Sequence, residues 1–465
     1  IPDESDIYYA DGQVREENYV LTSFLSSKMH HAGVRCVDCH EPHTTKILQQ
    51  GNALCMRCHT GTYPNSPKID PPTHTHHKLN GEGGQCVNCH MPQTTYMQRD
   101  LRRDHGFTIP DPLLTREHGI PNACNRCHID KDTDWAVAAV EKWYGPRMDR
   151  PTRKRAQWIA KAKVGAAGSR ENLLQLLREE KTPFWKAVAT ELLYPWTNDP
   201  EVTTLLLSNL SHTNALLRGT TARALDPLAR RNNTGIDAAL EKLLDDPVRK
   251  VRVDAAWTLR HRVSPQSKAG EDLLRTLTYN VDMPTGALQK GVYHLDRNES
   301  KMAEHYFRLA IKLDNYSAPL RHEFAIALSM MGRTSEAIDA LKEAIRLDPG
   351  EAEYHYKLAL AWNETGRTDN TVSSLVKAVQ LNPRHSRAWY NLGLARNGMN
   401  QPEAAIAALL KAENVEQNDP DIPYARATIL LRLRRIPEAI EAAQRALEIQ
   451  PNYNPARALL QELGL

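Results

Sequence analysis

Cysteine is absent from the last 338 of the 465 residues, neither sign of charge is in clear excess, and no apolar run is long enough to span a membrane. Each absence excludes something. With 59 Lys plus Arg against 56 Asp plus Glu, the formal charge of +3 gives no electrostatic case for nucleic acid as the main partner. The longest apolar candidates, Trp135–Val140 and Ala404–Leu410, fall far short of the roughly 18 residues a spanning helix needs. The sequence opens on Ile1-Pro2-Asp3, with no methionine or apolar leader, and reads as a processed product or a fragment. Its length allows two to four domains at roughly 100 to 200 residues each.

What is present is concentrated. All eight cysteines lie in four pairs, Cys36/Cys39, Cys55/Cys58, Cys86/Cys89 and Cys124/Cys127. Each pair is spaced CxxC, and each is followed at once by a histidine: His40, His59, His90 and His128. Thiols at this spacing can chelate zinc, form a redox disulfide or bond to a haem. The trailing histidine discriminates. Histidine is about 4% of the chain, so its chance occurrence after all four pairs has odds of order 10⁻⁶, whereas c-type haem attachment demands it. The two thiols add to the vinyl groups of one porphyrin, and the next residue then lies beneath the macrocycle as an iron ligand. Zinc sites would need the cysteines but not the histidines. The expected cofactors are four covalently bound haem c groups. Such attachment is made outside the cytoplasm, so the expected compartment is periplasmic or extracellular.

Sixth ligands must come from elsewhere. The same segment holds His30, His31, His43, His74, His76, His77, His105 and His118, eight candidates for four positions. Pro42 turns the chain between His40 and His43 and lets the second imidazole reach a neighbouring haem. His74 and His77 precede the Gly81–Gly84 stretch, and His105 has Asp104 and arginines beside it that could fix its tautomer or neutralise propionates. Met29, Met91 and Met97 are thioether alternatives, although methionine is more often core filler. If every iron carries two histidines the protein transfers electrons; an iron lacking a distal side chain could bind and reduce a small ligand. The proximal histidines are only 19, 31 and 38 residues apart, so the haems must crowd and supply much of the segment's core.

After Gly145-Pro146 the sequence turns to Leu/Ala-rich helical periodicity. Asp246-Pro247, Val251-Arg252, Ala255-Ala256 and Leu259 read as one helical hairpin, with an equivalent at Leu217-Arg218, Ala222, Ala224 and Leu225 and a third around Lys186, Val188, Ala189 and Leu192. This stretch resembles HEAT-type repeats. Farther on the period tightens to 34. Small residues recur at Ala310, Ala344, Ala378, Ala412 and Ala446, and at Ala303, Ala337, Thr371, Ala405 and Ala439. Pro349, Pro383 and Pro451 close repeats, and the turn glycines Gly332 and Gly366 stand in register. These positions look like tetratricopeptide repeats, whose stacked hairpins form a solenoid with a groove for a partner. The expected fold is mainly α: a haem-packed tetrahaem domain with little regular structure (1–148), HEAT-like repeats (149–280), and tetratricopeptide repeats with a capping helix (281–465).

The strings Tyr9-Ala10-Asp11-Gly12-Gln13, Ala32-Gly33-Val34, Gly51-Asn52-Ala53-Leu54-Cys55, Cys89-His90-Met91-Pro92, Tyr96-Met97, Arg103-Asp104-His105 and Pro121-Asn122-Ala123-Cys124 resemble the multihaem c-type cytochromes that carry C-terminal tetratricopeptide repeats. Cys-His-Met-Pro followed by Asp-His is also similar to the ligand pattern of cytochrome c nitrite reductases. The resemblance implies proximal ligands at His40, His59, His90 and His128 and distal ligands at His43, His77 and His105, with His74 as a companion. A CxxCK motif, the mark of the catalytic haem in many nitrite reductases, is absent. The leading expectation is an electron-transfer protein docked through its solenoid to a redox partner or to copies of itself. The alternatives are an oxidoreductase reducing a small nitrogen or sulfur oxyanion at an open haem, and an assembly protein with structural haems.

Overall fold

Proline and short polar residues set the helix starts. Pro151, Pro183 and Pro200 occupy the first turns of the helices Pro151–Lys163, Pro183–Leu192 and Pro200–Asn209, where the missing N–H is no loss. Asp199 and Asn214 cap the helices that follow them by accepting from backbone N–H groups two and three residues ahead. The computed structural model describes residues 7–16, 19–64, 66–96, 99–229 and 234–464. Ile1-Pro2-Asp3 and Met97, two subjects of the sequence reading, lie outside these residues. The described chain is mainly helical and falls into two compact units, Ile1–Leu259 with Val263–Leu273, and Arg260–Arg262 with Leu274–Leu465.

In the first unit one apolar core runs from Ala10, Leu114 and Ile120 through Leu173, Leu177, Leu206 and Leu225 to Leu259. Sealing a leucine from water stabilises by roughly 1.5–3 kcal/mol, so the helices after residue 150 supply most of this unit's cohesion. Arg218 and Arg252, equivalent positions of the repeat reading, make the same bond. Arg218 grips Asp246 at 2.8 and 3.0 Å, and Arg252 grips Asp272 at 2.9 and 2.6 Å. The cysteine-bearing segment is built differently. Between residues 15 and 111, Tyr96 is the one buried hydrophobic side chain among the described residues, and Val37, Ile47, Leu48 and Leu79 are exposed. Its regular structure is short helices and one hairpin, Gln93–Tyr96 paired antiparallel with Asp100–Arg103 in the register Gln93↔Arg103.

Several contacts tie this segment to the helices, among them those of Asp111 and Trp185. Asp111, buried, accepts from Arg150 at 3.0 Å and from Arg153 at 2.7 and 2.8 Å. Trp185 donates its indole N–H to Ser26 O at 3.2 Å and lies so close to Gly12 that a Cβ there would sit 2.9 Å from the ring.

In the second unit, helices begin at Pro284, Ala318, Ala352 and Ser386, 34 residues apart, with a fifth one residue late at Asp421, and their partners begin every 34 residues at Ser300, Thr334, Thr368, Pro402 and Ile436. The small residues of the repeat reading sit where paired helices touch. Ala303, Ala337, Ala344, Ala378, Ala405, Ala412, Ala439 and Ala446 are sealed completely, and Thr371 and Ala310 nearly so. The turn inside each hairpin needs one left-handed residue: Asn298, Gly332, Gly366, Asn400 and Arg434 take φ of 60°, 74°, 71°, 57° and 58°. Arg435 pairs with Glu403 and Glu438, so it is a surface ion-pair residue.

Candidate functional site: a chain of histidine pairs

Successive motifs are joined by hydrogen bonds: Arg57 donates to Asp38 O at 2.9 Å, Asn52 donates to Gly84 O and accepts from Cys86 N at 2.8 Å each, and Arg126 donates to Gln93 O. The Cys39 thiol is pushed up by burial, with Asp38 and then Cys58 of the next motif adding to it. Cys55 and Cys86 share a hydrogen bond that raises the first and lowers the second to about 7. Cys89 is pushed up to about 11, by burial first and then by Cys124 and Cys127. All eight thiols are free, with no disulfide among them.

The histidines pair across these motifs. The rings of His40 and His105 lie 6.3 Å apart, those of His74 and His90 6.0 Å, and those of His77 and His128 6.0 Å, with planes inclined by 31°, 15° and 41°. Each pair joins one CxxCH histidine to one candidate distal histidine. An iron nitrogen bond of about 2 Å, with that nitrogen about 1.1 Å from its ring centre, puts two axial imidazoles of one iron about 6.2 Å apart. The three observed spacings match this requirement.

The tautomers match too. Nδ1 of His40 faces Thr45 O at 2.8 Å, His59 faces Pro67 O at 3.2 Å, His77 faces Thr75 O at 2.5 Å, His90 faces Thr108 O at 2.8 Å and His105 faces Arg103 O at 2.9 Å. A carbonyl only accepts, so Nδ1 carries the proton and Nε2 keeps the lone pair a metal uses. Burial lowers the pKa of His90, His105 and His74, with the facing His74 adding to His90 and the facing His40 to His105. Neutral imidazole is the ligating form.

Local structure explains the placement. The hairpin returns the chain so that Asp104 N donates to the carbonyl of Pro92, two residues after His90, at 2.9 Å, which brings His105 back beside the third motif. Asp104 does not orient the His105 ring; its carboxylate accepts from the backbone N–H of Val14 at 2.9 Å and of Gly106 at 2.7 Å. Arg103 likewise turns inward, donating to Val87 O, Met91 O and Asn88 Oδ1 and clamping the helix Cys86–His90. Gly83 lets the His77 ring approach, since a Cβ there would lie 2.4 Å from its Cδ2.

Other sequence candidates stand apart from the pairs. His43 lies on an exposed turn whose backbone N–H groups bond Glu41, and among the described residues no imidazole ring stands opposite His59. His30 and His31 contact each other edge-on at 5.1 Å, and His118 lies 3.7 Å from Glu117. His76 stacks on Trp143 at 4.4 Å. Sequence reasoning missed the aromatic residues of the helix Thr133–Tyr144: Trp135 lies 4.8 Å from the His128 ring, and Tyr144 donates to His74 O. Their spacing at the two ends of one helix was the available signal.

The donor set fits covalently held haem. Four thiol pairs, paired imidazoles of which four hold Nδ1 on a carbonyl, and apolar side chains left at the surface suit a porphyrin anchored by thioethers with histidine ligands.

Comparison with known proteins reaches the other unit. A TPR repeat model matches residues 330–366, and a tetratricopeptide repeat model matches 372–423 and 398–454. No curated protein matches the chain. Similar solved structures include a MamA protein (21% identity, 37% of this chain and 93% of that one, TM-score 0.34) and YrrB, described as a TPR protein with an unusual peptide-binding site (17%, 40% and 97%, TM-score 0.35). PilF of Pseudomonas aeruginosa is another (23%, 36% and 76%, TM-score 0.33). The C-terminal repeats are therefore tetratricopeptide repeats, a helical scaffold for protein interaction.

Proposed function

We propose that this chain is a multihaem c-type cytochrome that passes electrons along four covalently bound haems in a periplasmic or extracellular setting, with the repeat array docking a redox partner or further copies. The observation that carries the reading is the trio of histidine pairs at 6.0–6.3 Å, each joining a CxxCH imidazole to one from elsewhere in the chain. When bound, the haems supply one-electron redox chemistry at iron. The polypeptide does the rest. The cysteine pairs would anchor the porphyrins, and the pairs His40 with His105, His90 with His74 and His128 with His77 would hold three of the irons. Carbonyls at Thr45, Thr108, Arg103 and Thr75 keep the ligating nitrogens unprotonated. The hydrogen bonds of Arg57 to Asp38 O, of Cys86 N to Asn52 and of Arg126 to Gln93 O favour a linear order along the chain. Near-infrared magnetic circular dichroism of the ferric protein tests this: bis-histidine charge-transfer bands for three haems support it, and predominantly high-spin iron refutes it.

One observation favours a second reading. His59 has the proton arrangement of a proximal ligand but no facing imidazole among the described residues. A small nitrogen or sulfur oxyanion could be reduced on that face. A high-spin signal from one haem in four that shifts on adding nitrite, hydroxylamine or sulfite supports this reading, and four low-spin haems indifferent to all three exclude it.

A further inference from the structure

The segment His74–His77 carries two of the paired imidazoles, and they belong to different partners: His74 faces His90, and His77 faces His128. Two ligands three residues apart diverge in this way because the backbone between them bends. His76 adopts φ 56° and ψ 20°, the left-handed region, which is uncommon for a residue with a Cβ. The holding surface is the end of the helix Thr133–Tyr144. The His76 ring lies 4.4 Å from Trp143 with planes 13° apart, a face-to-face stack, while the edge of the same indole meets His77 at 6.2 Å and 80°. Tyr144 completes the grip, with its ring 6.0 Å from His74 and its hydroxyl donating to His74 O.

The helix is itself fixed. Asp132 caps its start by accepting from Trp135 N at 2.8 Å, Ala136 and Val140 bury its inner face, and Trp135 lies against the His128 ring. A single helix therefore touches both sides of the His77/His128 pair and the distal side of the His74/His90 pair. The His40/His105 pair has no contact of this kind with it among the described residues.

We infer that Trp143 and Tyr144 are positioning residues that set the axial ligation of two neighbouring haems together, through the bend at His76. This rests on the haem reading above. Because one aromatic surface meets the segment that carries two distal imidazoles, a change there reaches the third and fourth haems together.

The test compares Trp143→Ala, Trp143→Phe and Tyr144→Phe with the unaltered full-length protein, by intact mass, low-temperature electron paramagnetic resonance and spectroelectrochemical titration. Trp143→Ala is expected to keep four haems by mass, to shift two of the four redox steps and two low-spin signals, and to leave the rest in place. Trp143→Phe restores the stack and both signals. Tyr144→Phe, which removes only one hydroxyl and keeps the fold in question out of the result, is expected to shift one step, that of the His74 haem. An unchanged titration in Trp143→Ala, a shift of all four steps, or no rescue by phenylalanine overturns the inference. Should Trp143→Ala fail to fold, Tyr144→Phe decides alone, and an unchanged titration there overturns it. An unaltered protein without haem overturns the underlying reading as well, and the mass spectrum tells the two failures apart.

Discussion

Replacing Asp104 probes how the N-terminal turn around Val14, the hairpin and the first histidine pair are held as one piece. The side chain is 3% exposed, with Oδ2 accepting from Val14 N at 2.9 Å and Oδ1 from Gly106 N at 2.7 Å. Hydrogen bonds to a charged acceptor contribute about 1.5–3 kcal/mol each, and their loss strands two N–H groups in a buried site. Against this, burial pushes the Asp104 carboxyl up, so part of the gain is already spent on desolvating the charge. The net cost of Asp104→Ala at pH 7 is therefore placed at about 2–4 kcal/mol. Asp104→Asn rescues only in part, because its amide sets a donor against one of the two N–H groups. Urea unfolding followed by far-ultraviolet circular dichroism reads the first transition, that of the unit containing the substitution. Because Gly106 N follows His105 directly, the same variant should perturb the low-spin signal of the His40/His105 haem and leave the other pairs unchanged. Stability within about 0.5 kcal/mol of the parent, or lost stability with all low-spin signals intact, would refute this account of Asp104.

Other expectations follow from the same contacts. Trp185→Ala removes a side chain 3% exposed that carries Arg155 3.9 Å from its ring centre and bonds Ser26 O; a loss of about 3–5 kcal/mol, with faster proteolysis before residue 28, is the expected result. Arg434 alone among the hairpin-turn residues is neither glycine nor asparagine at positive φ, so Arg434→Gly should stabilise by about 0.5–1 kcal/mol while Gly332→Ala destabilises by a similar amount. Differential scanning calorimetry giving both shifts the same sign would contradict this. Burial raises the Asp11 carboxyl to about 6 against the opposing bonds from Gln13, so the folded state binds its proton more tightly than the unfolded state. Its contribution thus falls as pH rises from about 4 to 6, and the stability difference between the parent and Asp11→Asn should change across that window and be flat above it.

Much of this was legible in the sequence, for reasons that differ by region. The 34-residue register is carried by small residues at helix contacts, and Ala337 or Ala405 cannot be enlarged without forcing helices apart, so the pattern survives in the letters. The left-handed turn was readable at Gly332 and Gly366, fainter at Asn298 and Asn400, since asparagine favours that conformation without being confined to it, and hidden at Arg434. The CxxCH spacing is dictated by covalent chemistry and needs no fold to be seen. Which histidine faces which is not local information. His105 reaches His40 through the hairpin register, and His74 and His77 diverge through one left-handed residue leaning on an indole nearly 70 positions away. Asp104 read as a tautomer anchor because it adjoins His105, but its carboxylate answers two backbone donors that only the folded chain brings within reach.

The central claim is that this polypeptide carries a porphyrin at each of its four motifs. Intact-mass spectrometry of the purified protein, followed by mapping of its proteolytic peptides, tests it most directly. The account predicts a mass exceeding the polypeptide by four haems, with thioether-linked porphyrin on the peptides containing Cys36/Cys39, Cys55/Cys58, Cys86/Cys89 and Cys124/Cys127. A mass equal to the bare chain, or zinc recovered with the protein in place of haem, would contradict it.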